Sequence, residues 1–216
     1  MKTARMLTYA LNAENKLVNV NSVPNGLECN CKCPGCKEPL IAKNDGKKRI
    51  HHFAHASDAE CVHGYQTMIH LLAKEIILET RLIPKYNCTA LDVKTEARLN
   101  GLNIIPDVLV FTEFKLDYHS NFRYVGTKSY PVPIIIEIYV THKVDEKKAE
   151  IIKKADIAAM EIDLSKTEAT TKEELFNDIY NKPENITVIN KPFWEKNNQI
   201  TNVKPYKRNP HNVKLT

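Results

Sequence analysis

Two runs decide how this sequence folds: Ile104-Ile105-Pro106-Asp107-Val108-Leu109-Val110-Phe111, and Pro133-Ile134-Ile135-Ile136-Glu137-Ile138-Tyr139-Val140-Thr141-His142-Lys143. Both are short, β-branched and apolar, and both are bounded by proline, which predicts buried strands. Each carries a single carboxylate in an otherwise oily run. A buried carboxylate is costly unless it is paired or binds a metal, so Asp107 and Glu137 are the first candidate functional residues.

Working outward, residues 89–99 alternate apolar and polar, with Leu91, Val93 and Thr95 on one face and Asp92, Lys94 and Glu96 on the other. Asn100-Gly101 then turns the chain into the Asp107 strand, which predicts an antiparallel hairpin. Asp117 to Lys128 is polar and aromatic without clear periodicity and reads as a surface insertion. Beyond the Glu137 strand, residues 144–160 read as a solvent-facing helix with Glu and Lys at spacing four. Glu161 to Leu164 reads as a short strand. Thr170-Thr171-Lys172-Glu173-Glu174-Leu175-Phe176 carries a capping signature that opens a helix over about 171–182, and Ile186 to Ile189 is a last strand. Upstream, residues 64–82 take a helical period, with Met68, Ile69, Leu72, Ile76 and Leu78 as the apolar stripe and Pro84 as the stop. Gln66, His70 and Lys74 share one face of that helix. The order predicts an α/β core with a mixed sheet flanked by helices, in which the 144–160 crossover sets its two strands parallel.

Residues 1–63 read differently, as a small β-rich module. Five of the six cysteines fall between Cys29 and Cys61, interleaved with His51, His52 and His55. Cys33-Pro34-Gly35-Cys36 is a tight knuckle that can aim two thiolates at one ion, and His52-Phe53-Ala54-His55 offers two imidazoles. Four such ligands close a tetrahedral structural zinc site. The preferred set is Cys33, Cys36, His52 and His55, with Cys31 and Cys61 in reserve and Cys29 and His51 close enough to substitute.

The 216 residues suffice for one ordinary domain plus such a module, giving expected divisions at 1–63, 64–190 and 191–216. No run of 18 or more apolar residues suggests a membrane span. The first residues lack the apolar stretch of a secretory signal, which predicts a cytosolic protein. The net charge of +5 resides in residues 191–216, where six Lys and Arg face only Glu195. That basic, Asn- and Pro-containing tail reads as a flexible segment able to track phosphates.

If the Asp107 and Glu137 strands pair, their carboxylates can converge on one hard divalent cation such as Mg²⁺. Glu96, on the neighbouring strand, is a third candidate. An ion there would activate water and polarise a phosphate, and a nearby lysine would offset transition-state charge. A paired, purely structural role for both acids is the competing reading.

Pro106-Asp107 followed about thirty residues later by Glu137-Ile138-Tyr139 resembles the PD-(D/E)xK (restriction-endonuclease-like) nuclease superfamily. Together with Cys33-Pro34-Gly35-Cys36, His52-Phe53-Ala54-His55, His70-Leu71-Leu72-Ala73-Lys74 and Glu137-Ile138-Tyr139-Val140-Thr141-His142, the chain resembles the competence protein CoiA-like family over about residues 7–165. The resemblance implies a metal-dependent deoxyribonuclease using Mg²⁺ or Mn²⁺, with Asp107 and Glu137 as its ligands and structural zinc in the first module. Tyr139 stands where the superfamily carries lysine, and Gln66 where related chains carry glutamate. Lys74 on the His70 face is the first candidate for a relocated lysine, with Lys148 and His142 as second choices. The alternative is a degenerate nuclease core that binds nucleic acid without cutting it. The partner expected in either case is DNA, not a membrane, and homo-oligomerisation is compatible with both.

Overall fold

The computed structural model describes residues 6–57, 61–86, 88–99, 101–120 and 123–192; side-chain statements leave out 88 and 113–130. The chain begins with a hairpin of β1 (Tyr9–Leu11) and β2 (Leu17–Asn19), then a second hairpin of β3 (Leu40–Lys43) and β4 (His52–His55). Helix α1 (Gly64–Thr80) follows, then a small pair, β5 (Leu82–Ile83) with β6 (Cys88–Thr89). The remaining elements are β7 (Asp92–Thr95), β8 (Val108–Ser120), β9 (Arg123–Tyr139), α2 (Glu146–Lys154), β10 (Ala158–Asp163), α3 (Lys172–Tyr180) and β11 (Ile186–Asn190).

The last five strands form one mixed sheet in the order β11-β10-β9-β8-β7. The β7–β8 and β8–β9 pairs are antiparallel, whereas β9 and β10 run parallel, as a helical crossover requires. Apolar residues alternate across β9, so each face of the sheet gets its own core. Ile134, Ile136 and Ile138 pack with α1 and α3, while Ile135 packs with Ile152 of α2 and with Leu109. Met68, Ile69, Leu72 and Ile76 are at most 1% exposed, and each contributes about 1.5–3 kcal/mol through burial. Leu78, expected on that stripe, is 46% exposed, and Ile77 is buried in its place. Two residues past Ile76 is about 200° around the helix, on the face opposite that residue.

Within the expected surface insertion at Asp117 to Lys128, the described residues 117–120 and 123–128 are strand. The β8–β9 register runs from Val108↔Ile136 out to Ser120↔Arg123. β7 covers only Val108 to Phe111 and β10 only Ile134 to Tyr139. Beyond them the hairpin continues as a two-stranded ribbon with no third strand among the described residues. Pro131 and Pro133 sit just before the β10 pairing begins, where the missing N–H costs no ladder bond to β10.

Helix α2 also ends earlier than its periodicity suggests. Asp156 adopts a left-handed φ of 53°, and Ala158-Ala159-Met160 then pair with Ile134, Ile135 and Ile136 as part of β10. The expected 89–99 strand shortens to β7, ending before Glu96 at φ 52°. α3 carries the expected capping box, with Thr171 accepting from the Glu174 N–H and Glu174 reaching back.

The N-terminal hairpins pack into the same apolar cluster as α1, with Leu7, Tyr9, Val20, Leu40 and Phe53 among its members. The Tyr9 N–H points at the Met68 sulfur at 3.3 Å, and the Thr8 hydroxyl donates to the Thr170 carbonyl at 2.5 Å. No helix among the described residues is long and apolar enough to cross a membrane. The basic tail from residue 193 onward lies outside the described residues.

Candidate functional site

Two groups of chemically capable side chains flank the start of α1. The first is Cys33, Cys36, His55 and Cys61, whose ligand atoms all lie within 4.8 Å of one another. The knuckle is closed by the Lys37 N–H donating to the Cys33 carbonyl and the Cys33 N–H donating to the Glu38 carbonyl. Lys37 takes the left-handed φ of 66° that this tight return needs. Cys33 and Cys61 sulfurs are 3.7 Å apart, and Cys36 Sγ is 3.3 Å from His55 Nε2. Those separations fit ligands around one tetrahedral zinc, for which bonds of about 2.0–2.3 Å imply ligand spacings a little under 4 Å. A Cys₃His set of this geometry could hold a structural zinc with no position left for water.

His52 is not in this group, and Cys61 takes its place. His52 and His55 lie on β4, where side chains alternate, so a spacing of three puts them on opposite faces. His52 Nδ1 instead faces the Ile50 carbonyl at 2.9 Å. Cys29 and Cys31 serve the core, with their sulfurs at the Leu40 and Cys29 carbonyls. Burial pushes the Cys31 and Cys33 thiols up to about 12, so a metal at Cys33 must offset that preference for the protonated form. Gly64, the first residue of α1, packs directly on the cluster. A Cβ there would meet Cys33 Sγ at 3.1 Å and Cys61 Sγ at 3.4 Å.

The second group lines a cavity of about 430 Å³. α1 contributes Gln66 and His70, the strand ends contribute Asp107, Glu137 and Glu161, and the segment after β9 contributes His142, Lys143 and Lys148. Asp107 precedes β8 by one residue, so it is free to turn off the sheet plane. Its Oδ2 accepts the Ile138 N–H at 2.9 Å, and its Oδ1 lies 3.1 Å from His70 Nε2 and 3.2 Å from Lys74 Nζ. Glu137 faces the other way, toward α2, and is 4% exposed. Lys148 Nζ donates to its Oε2 at 2.8 Å and to the Ile105 carbonyl at 3.1 Å. The same ammonium lies 2.8 Å from Oε1, so it forms an ion pair with both oxygens of this buried carboxylate.

The two carboxylates are driven in opposite directions. Burial works against ionised Asp107, but the His70 hydrogen bond and charge, the Ile138 N–H and Lys74 together hold its carboxyl well below the usual range. Burial pushes the Glu137 carboxyl up, Lys148 offsets only part of that, and the negative charge of Asp107 adds to it. Divergent carboxylates in one cavity are the electrostatic pattern of a functional site.

Lys74 is 6% exposed, does not line the cavity, and links Asp107 to Glu96, whose carboxylate it meets at 2.9 Å. The hydrogen bond and charge of Lys74 hold the Glu96 carboxyl low. Glu96 thus stands behind Asp107 in an ion-pair chain. Tyr139 also falls outside the cavity lining, with the Lys143 ammonium 5.4 Å above its ring. Glu161, 8% exposed, is a site residue that the sequence reading does not single out. It sits in register beside Glu137 on the parallel strand β10, and its Oε1 accepts the Val144 N–H at 2.6 Å. The sequence carries a signal for it all the same: one carboxylate inside the apolar run Ala158-Ala159-Met160-Glu161-Ile162.

Among the described residues, no third metal ligand joins Asp107 and Glu137 as tightly as the Cys₃His set is joined. The cavity lining nevertheless includes the carboxylates of Asp107 and Glu137 and the Gln66 amide, groups of the oxygen-donor type a hard cation takes.

No curated protein and no solved structure matches the chain. Residues 26–64 match the family model described as competence protein CoiA, N-terminal domain. That span holds the knuckle, the β3–β4 hairpin, His55, Cys61 and the first residue of α1. The match is confined to this segment and supports a CoiA-like N-terminal module.

Proposed function

We propose that the chain is a PD-(D/E)xK-type nuclease that hydrolyses DNA phosphodiester bonds with Mg²⁺ or Mn²⁺. The observation that carries this reading is the arrangement of two carboxylates from different strands, Asp107 and the buried Glu137, lining one cavity. Asp107 and Glu137 would hold the ion, and the Gln66 side chain lines the same cavity. The ion, when bound, would polarise the phosphate and acidify a water. The CoiA-like N-terminal module agrees with a role in competence, and so in nucleic-acid handling.

The protein's own groups then divide the work. Of Lys74 and Lys148, Lys148 is the one available to substrate. Its ammonium lines the cavity at Glu137, whereas Lys74 is buried between two carboxylates. Lys148 would offset negative charge building on the phosphate oxygens. His70 and Lys74 hold Asp107 ionised and oriented, and Glu161 fixes the segment leading into α2 by accepting the Val144 N–H. Asp145 then caps α2 by accepting the Lys148 N–H at 2.7 Å, which sets where the lysine side chain starts.

Tyr139 and Gln66, which replace the motif's lysine and the related glutamate, favour a second reading: a nuclease-like protein that binds nucleic acid without cleaving it. Incubating purified protein with single- and double-stranded DNA and Mg²⁺ or Mn²⁺ separates the two. Metal-dependent cleavage that disappears in Asp107→Ala and Glu137→Ala supports the enzyme. Cleavage surviving either change rejects this site, and binding without cleavage supports the second reading.

A further inference from the structure

We infer that the β3–β4 loop and the cavity beneath it form a second, phosphate-binding site that grips the nucleic-acid backbone away from the carboxylate cavity. The inference deepens the proposed function, resting on nucleic acid as the ligand but not on cleavage. The loop between Lys43 and His51 reads Asn44-Asp45-Gly46-Lys47-Lys48-Arg49-Ile50. Lys43, Lys47, Lys48 and Arg49 are exposed, and none is paired with a carboxylate among the described residues. Unpaired cations on a mobile loop would be an ordinary solvated surface, but this loop is fastened at both ends. The Asn44 amide donates to the Val20 and Val23 carbonyls at 2.6 and 2.8 Å. The His51 ring nitrogens lie 2.5 Å from Asn21 Oδ1 and 2.7 Å from the Gly46 carbonyl. The loop that carries the cations is therefore anchored at both ends, which lowers the backbone ordering cost of binding an anion.

Beneath the loop lies a cavity of about 520 Å³, to which Lys47, Arg49 and His51 contribute along with Asn19, Asn21 and Thr170. No Asp or Glu lines it. The carboxylate cavity, by contrast, is lined by Asp107, Glu137, Asp145 and Glu161. A cavity with cationic and amide or hydroxyl groups and no acid suits a phosphodiester, whose charge is met by Lys and Arg and whose oxygens take hydrogen bonds. The division of labour is then between an acidic cavity suited to a metal and a basic cavity that holds the strand through non-bridging phosphate oxygens.

The test is fluorescence anisotropy of labelled single-stranded and duplex DNA across a salt series. No divalent metal or chelator is added, so that zinc is retained and nothing is cut. Lys47→Ala/Lys48→Ala/Arg49→Ala is compared with the charge-matched Lys147→Ala/Lys153→Ala/Lys154→Ala, which alters exposed cations of α2. The loop variant should bind on the order of tenfold or more weakly near 0.1 M salt, with a salt slope shallower by up to about 0.9 for each phosphate the loop no longer neutralises. The control should weaken much less. Zinc content and melting temperature, measured on both, show that each is folded. Equal binding by the loop variant and wild type overturns the inference, as does an equal weakening in the control. It is also overturned if wild type binds no DNA, or if inorganic phosphate at low millimolar concentration displaces the strand completely, since the site would then be one for free phosphate. A protein that binds through the loop but never cuts with Mg²⁺ or Mn²⁺ refutes the nuclease and leaves this site standing.

Discussion

Lys148 Nζ lies 2.8 Å from both carboxylate oxygens of Glu137, although the two residues stand eleven apart in sequence and on different elements. The expected partner two residues after the acid is Tyr139, on the same strand face, yet the ammonium arrives from α2 instead. The crossover that makes β9 and β10 parallel is what brings α2 over the Glu137 face of the sheet.

Lys148→Ala should therefore lower the DNA cleavage rate by roughly 10²–10³-fold, the range for removing one transition-state electrostatic partner. Lys148→Arg should retain part of the activity. Single-turnover rates with saturating Mg²⁺ decide it, and an unaffected rate in Lys148→Ala would return the role to Lys74 or His142.

The opposite shifts of the two acids make a pH prediction. Asp107 titrates below its unfolded value of about 3.9, so it stabilises the fold above that pH, and the contribution disappears as acid protonates it. Asp107→Asn should flatten the acid limb of the stability curve below about pH 4. Glu137 is shifted up, so its contribution is present below about pH 4.3 and is lost as pH rises through its folded value. Glu137→Gln should consequently not lower the melting temperature at pH 7, while abolishing cleavage. Thermal melts from pH 3 to 8 without added divalent metal test both, and a large neutral-pH destabilisation by Glu137→Gln would contradict the assigned balance of burial and Lys148.

Cys33→Ser, Cys36→Ser, His55→Ala and Cys61→Ser should each reduce zinc well below one ion per chain. His52→Ala should keep it, because its side chain leaves the opposite face of β4. Elemental analysis of purified proteins reads the result directly. Loss of zinc in His52→Ala with retention in Cys61→Ser would restore the ligand set expected from sequence.

Met68 is fully buried where α1 meets β1, with the Tyr9 N–H on its sulfur. Met68→Ala should cost about 2–5 kcal/mol of unfolding free energy, the usual range for emptying such a position. Urea unfolding followed by circular dichroism measures it. A cost below about 1 kcal/mol would mean that the hairpin and helix do not share a core there.

How much of this was legible in the chain can be followed residue by residue. The proline-bounded β-branched runs around Asp107 and Glu137, the period of 3.6 over α1 and the capping residues of α3 are local signals, so the sequence alone set the α/β class and most of the element order. The two acids stood out for the same reason, since a charge inside an apolar run is visible without any partner. What the sequence could not settle were choices made across the fold. Cys61 replaces His52 because strand alternation and the packing of Gly64 against Cys33 decide which ligands meet, not their spacing in the chain. Lys74 and Lys148 look alike on paper, and only the layering of α1 and α2 on opposite faces buries one between two carboxylates and opens the other to the cavity. Glu161 belongs beside Glu137 because β9 and β10 pair in register, and pairing between distant segments is a tertiary event that local periodicity does not encode.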